Sequence, residues 1–216
     1  MSLRPALLIG GKSSRMGKNK SELERDGKTL GIYLANLLEE VTGIQPVLLG
    51  TGQLGAGTER YQILPDPEPD RGPLAGLIAF ARAFPKDDLL LCPTDLYAMD
   101  EKALRWIKEQ AEASSKLAVW PKQPQRKHGE PLAAIYRSTS FPYLESAWLA
   151  GKGSPCQAIE REIRHEPDIP EALRLAFVNI NTPEELAAVK RGLEGDLDDS
   201  DRALLFPSSR KRAHHH

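Results

Sequence analysis

The sequence predicts a three-layer α/β/α domain on a mostly parallel sheet, and three observations carry that prediction. Apolar runs of strand length lack polar alternation, as strands covered on both faces do. Longer stretches between them repeat apolar residues at i, i+3, i+4 and i+7, the spacing of crossover helices. The two kinds alternate along the chain. The strand candidates, in order, are "PALLIG" at 5–10, "PVLLG" at 46–50, "YQILPD" at 61–66 and "DLLLCPTD" at 88–95. The helical patterns are 29–41, 72–84 and 100–113. Asp26-Gly27 signals a tight turn. "KLAVW" (116–120), "LAAIYR" (132–137) and "FVNIN" (177–181) complete the expected strands. Thr182-Pro183-Glu184-Glu185 has the form of a capping box with proline at the first helical position, so a helix opens there.

The 216 residues fit one domain over 1–192, followed from 193 by a flexible tail that ends in three histidines resembling a truncated purification tag. A formal net charge of −1 supplies no overall attraction to nucleic acid or membrane, so any anion site must be local. The apolar runs are far shorter than the roughly 20 residues a bilayer span requires, and the expectation is a cytoplasmic protein. Cys92 and Cys156 have no partners at metal-ligand spacing and are expected as reduced, mostly buried thiols.

In an open α/β sheet, ligands bind beyond the carboxyl ends of the strands, where the winding changes direction. "LLIGGKSSRMGKNKS" at 7–21 leaves the first strand there, with three glycines and four cations. Gly10, Gly11 and Gly17 permit close backbone approach to phosphate, while Lys12, Arg15, Lys18 and Lys20 supply charge. This is a triphosphate site rather than a Walker loop, because Lys12 stands where that loop needs glycine and Asn19 where it needs Ser or Thr. The other reading is a solvated loop with incidental cations. Asp95 ends a strand at the same edge, where a carboxylate either anchors magnesium or caps the following helix. Asp66 and Asp70 precede a second strand-to-helix junction, and Gly72 and Gly76 would let that junction approach a nucleotide closely. Asn179 and Asn181 bracket Ile180, so on a strand their amides face one way. His128 is read as a surface histidine.

These residues carry a family resemblance. "GGKSSRMGKNK" (10–20) matches the G-G-x-S-x-R-M-G-x-x-K signature of MobA-like nucleotidyltransferases, and the chain is most similar to the molybdenum cofactor guanylyltransferase family. "LPDPEPDRGPLAGL" (64–77), "LCPTDLY" (91–97) and "FVNINTPEEL" (177–186) resemble three further signatures in the same order. The resemblance implies a Rossmann-like nucleotidyltransferase fold and magnesium-dependent transfer of GMP from GTP to molybdopterin, with pyrophosphate released. It implies Arg15, Lys20 and Asp95 as catalytic residues, Asp95 as the Mg2+ ligand, and Ile9, Gly10, Gly11, Lys12, Arg15, Lys20, Asp66 and Gly72 around the nucleotide. Asn179 and Asn181 would hold the acceptor. The implied partners are GTP, molybdopterin and, transiently, molybdenum insertion proteins or molybdoenzymes; nucleic acid and membrane are not among them.

Three departures are visible. Ile9 is bulkier than the family's alanine, Gly50 stands where the family has an asparagine, and Glu130-Pro131 replaces a histidine- or glutamine-proline pair bordering the pterin. Two other readings stay open: a transferase of the same architecture using CTP or a sugar or alditol phosphate, and a non-catalytic nucleotide-binding protein.

Overall fold

The computed structural model describes residues 2–9, 23–52 and 54–207. The chain order is β1 (Leu3–Leu8), β2 (Glu24–Arg25), β3 (Lys28–Thr29), α1 (Leu30–Thr42), β4 (Val47–Leu49), β5 (Ile63–Leu64), α2 (Leu74–Ala83), β6 (Asp88–Pro93) and α3 (Glu101–Glu112). It continues with β7 (Ala118–Val119), β8 (Ala134–Tyr136), α4 (Phe141–Leu149), β9 (Arg164–His165), α5 (Pro183–Glu194) and α6 (Asp199–Leu205).

One seven-stranded sheet has the order β5-β4-β1-β6-β8-β7-β9. Its pairings are parallel except at β8, which runs against both neighbours. Successive side chains feed opposite layers. Leu7, Leu48, Leu90 and Ile135 join the core under α1, α3 and α5, while Ala6, Leu49, Leu91 and Tyr136 join the core under α2 and α4. This two-sided burial is why these strands lack polar alternation.

The order of winding fixes where ligands go. From β1 the chain steps to β4 and β5 on one side, then returns to place β6 on the other side of β1. The switch therefore lies between the carboxyl ends of β1 and β6, where the glycine-rich segment departs and Asp95 follows its strand. Gly10, Gly11, Lys12, Arg15 and Lys20 lie outside the described residues.

Asp26 and Gly27, with φ of 52° and 72°, make the two-residue turn between β2 and β3, as their sequence signals. The capping box is present: Thr182 Oγ1 accepts from Glu185 N at 3.1 Å, and the Glu185 carboxylate accepts from Thr182 N at 3.2 Å.

Three expectations need correction. Residues 178–181 form no strand, because their neighbour is the turn after β6 and it provides one backbone bond, Ile180 N to Asp95 O at 3.0 Å. Helical order continues beyond Gly192, since α6 folds back on α5 and buries Leu205. Cys92 is buried, its thiol pushed far up by desolvation, but Cys156 is exposed. Among the described residues no helix is long and apolar enough to cross a membrane.

Candidate active site

Asp95 sits in the turn directly after β6. It does not cap the helix that follows, because Asp100 is the N-cap of α3 and its Oδ1 accepts from Ala103 N at 2.8 Å. Arg25 fixes the loop around Asp95. Its guanidinium donates to the carbonyls of Tyr97 and of Met99, the latter at 2.8 Å, and lies 4.3 Å over the Tyr33 ring. Tyr97 returns the contact, donating its hydroxyl to Glu24 O at 3.1 Å. The short hairpin after the glycine-rich segment is thereby tied to the loop that carries the carboxylate.

Glu130 and Asn179 converge on the same place. Burial raises the Glu130 carboxyl above its ordinary range; the Leu132 N–H opposes this, the Asp95 charge adds to it, and a hydrogen bond from the Asn179 side chain opposes it. Beside them is a cavity of about 320 Å³ whose wall includes Gln123, Glu130, Phe177, Val178, Asn179 and Asn181. Asn179 and Asn181 both border this cavity, although no strand carries them. Asn179 Oδ1 and Gln123 Oε1 are buried with no hydrogen-bond partner among the described residues. The Gln123 amide is oriented by donating through Nε2 to Arg174 O at 2.8 Å, which leaves its oxygen as the unsatisfied end.

The position of Glu130 is set by its neighbours. A Cβ on Gly129 would run into the Trp120 carbonyl, so only glycine lets the chain pass there. Gly129 N donates to Glu166 Oε1 at 3.0 Å, and the same oxygen pairs with Arg164 Nε at 2.9 Å. Arg164, buried, also donates to Ile159 O at 2.6 Å and lies 4.3 Å over the Trp120 ring. On the far side, Tyr136 of β8 donates to Pro131 O at 2.7 Å. His128 is exposed, as expected.

Burial alone would raise the Glu166 carboxyl, but the Gly129 N–H and the Arg164 charge outweigh it and hold it below the ordinary glutamate range. A carboxyl lowered by folding contributes stability above its unfolded value and loses it as pH falls through the folded value. Glu166→Gln is therefore expected to lose about 2 kcal/mol at pH 7, from a charged hydrogen bond made neutral. The gap from the parent should close toward pH 3, and urea unfolding at the two pH values measures it.

The other predicted residues lie on the opposite flank of β1. Asp66 follows β5, half-buried, with its carboxyl raised by desolvation. Gly72 has φ of 78°, and a Cβ there would lie 2.7 Å from Gly153 O. Its glycine is needed for close contact between two protein backbones, reinforced by Leu74 N to Gly153 O at 3.1 Å. Gly76 faces Leu8 and Leu49 and serves helix-on-sheet packing, which corrects the expectation that it opens the junction to a ligand. Ile9 is 3% exposed and its side chain lies in the α1-side core. Gln123 carried no signal in the sequence, and Glu130 stood out there only as a departure from the family's pair bordering the pterin.

Comparison with known proteins decides the family. The model of the MobA-like NTP transferase domain matches residues 6–166. The chain belongs to that family. Membership makes it a nucleotidyltransferase and accounts for the mostly parallel, Rossmann-like sheet with flanking helices. It is 32% identical over 195 residues to a protein of Pseudomonas syringae pv. tomato named molybdenum cofactor guanylyltransferase, covering 85% of this chain and 90% of that one. A protein of Carboxydothermus hydrogenoformans named probable molybdenum cofactor guanylyltransferase is 28% identical, over 84% of this chain and 92% of that one. Among solved structures, molybdopterin-guanine dinucleotide biosynthesis protein A from Archaeoglobus fulgidus superposes with a TM-score of 0.68 at 25% identity, covering 89% of this chain and all of that one.

Proposed function

We propose that the protein transfers GMP from GTP to the terminal phosphate of molybdopterin, releasing pyrophosphate. The observation that carries the reading is the place of Asp95: it follows β6 at the switch point beside β1, suited to a triphosphate, and it is bonded through Ile180 and coupled in charge to Glu130, next to the cavity bounded by Glu130, Asn179 and Asn181. The names of the relatives supply the substrates in this reading.

An oxygen of the acceptor phosphate attacks the α-phosphorus of GTP. The new P–O bond forms as the bond to the bridging oxygen breaks, and pyrophosphate leaves with that electron pair. No protein nucleophile is needed, so catalysis is a matter of neutralising charge and holding the reactants in line. Arg15 and Lys20 are assigned to the phosphates, with Gly10, Gly11, Lys12, Asp66 and Gly72 around the nucleotide and Asn179 and Asn181 at the acceptor.

The donors present suit Mg2+. Among the described residues no group of three His, Cys, Asp or Glu forms a closed metal cage. Magnesium prefers one or two carboxylates completed by phosphate oxygens and waters, and Asp95 lies near enough to Glu130 for its charge to raise the Glu130 carboxyl. Asp95 is assigned as the ligand, and when bound the ion would offset the charge developing on the phosphates.

The test is thermal melting with Mg2+ and GTP, CTP, ATP or UTP in turn, because a ligand of the native state raises the melting temperature with occupancy. GTP should give the largest shift, and a larger one with CTP would overturn the choice of nucleotide.

A further inference from the structure

We propose that α6 and Pro207 form a selective wall for the pterin ring of the acceptor. This deepens the proposed function and rests on it. The segment lies beyond the stretch matched by the family model, which ends at residue 166.

α6 is held in place independently of any ligand. Asp198 caps it, accepting from Asp201 N at 2.7 Å. Arg191 of α5 grips Asp201 with a two-pronged pair, Nε to Oδ2 at 2.8 Å and Nη2 to Oδ1 at 2.5 Å, and Asp201 is only 4% exposed. Leu205 is buried in the α1-side core, whereas Leu204 is 43% exposed. This anchoring puts Leu204, Leu205 and Pro207 on the cavity that Glu130 and Asn179 also line.

The two kinds of wall describe one ligand. Leu204, Leu205 and Pro207, with Phe177 and Val178, offer apolar surface. Gln123, Glu130 and Asn179 border it with polar side chains, and Gln123 Oε1 and Asn179 Oδ1 are buried beneath that wall with no partner among the described residues. Such a space suits a flat heterocycle with an apolar face and an edge of N–H donors. A pterin presents that combination through its 2-amino group and adjacent ring N–H. At about 320 Å³ the cavity is at the small end of ligand sites, the size of one fused ring system rather than a whole dinucleotide. Arg126 and His128 also line the cavity and suit the phosphate of such a ligand, whereas an isolated phosphate leaves the apolar wall unused.

The experiment uses the full chain and three variants: Leu204→Glu, which places a charge on the wall at an exposed position; Leu204→Met, which restores apolar volume; and Arg191→Ala, which releases the grip on α6. Leu204→Glu and Arg191→Ala should each raise the KM for molybdopterin about tenfold, a loss of roughly 1.4 kcal/mol in binding. kcat should change by less than about twofold, as for lost ground-state binding. Leu204→Met should behave as the parent, and the melting shift with GTP and Mg2+ should be the same in all. An unchanged KM in Leu204→Glu overturns the wall. Should the parent transfer no GMP, the proposed function fails by itself, and pterin fluorescence on titration with molybdopterin then decides the wall: weaker binding to Leu204→Glu than to the parent supports it, and equal or absent binding overturns it.

Discussion

Asp95→Asn is expected to melt like the parent and to transfer GMP about a thousandfold more slowly, the loss typical of removing one preorganised electrostatic group at a reacting centre. The two halves of that expectation rest on different atoms. The backbone role of the residue, accepting from Ile180 N at 3.0 Å, survives the change. Asp100, not Asp95, caps α3, so the helix keeps its N-terminal bond. Burial, with the charge of Asp95 added, raises the Glu130 carboxyl, and removal of that charge relieves the repulsion. Folding therefore has little to lose, whereas a carboxylate assigned to hold Mg2+ against the phosphates has no substitute in an amide. Single-turnover transfer at saturating GTP, beside a melting curve, measures both. Wild-type rates in the folded variant would remove Asp95 from the mechanism.

Gly50→Asn is expected to cost about 4 kcal/mol of stability, at the upper end for single substitutions. The family's asparagine at this place makes the change look like the restoration of a base contact. The backbone forbids it. Gly50 has φ of 111°, well outside the left-handed well that asparagine tolerates, and such strain costs about 1–3 kcal/mol. A Cβ there would also strike the Ile9 carbonyl, backbone rather than a flexible side chain, adding about 1–3 kcal/mol. Neither partner can yield cheaply, because Ile9 N is bonded to Leu49 O at 2.8 Å and Gly50 N to Leu64 O at 2.9 Å. Urea unfolding reads the loss. A variant as stable as the parent would show that the close approach of β1 and β4 is not obligatory.

The fold was legible because its signals are local. Two-sided strands, helical spacing, the Asp26-Gly27 turn and the Thr182 capping box each lie within a few residues, and the structure contains them all. The 177–181 segment misled because V-N-I-N alternates like a strand, while strand formation depends on a neighbour that only the tertiary fold supplies. The reason for glycine at 50 was likewise out of reach, since the atom that excludes a side chain belongs to Ile9. Asp95 was readable from its place at the end of an apolar run. The setting of Glu130 was not, because it depends on Gly129 passing under Trp120 and donating to Glu166, contacts between separate segments that no local pattern announces. The closure of α6 over the cavity hangs on Arg191 meeting Asp201, an ion pair indistinguishable in sequence from any exposed one.

The strands that pack both ways leave this protein little latitude in its middle. Ala6 and Leu7, adjacent on β1, serve different layers, and so do Leu48 and Leu49 on β4, so neither face of the central sheet has a water-facing row where polar residues can accumulate by drift. Divergence among proteins of this shape is thereby channelled to the rims, and altered substrate preference arises by exchanging the segments between strands while the sheet beneath is retained.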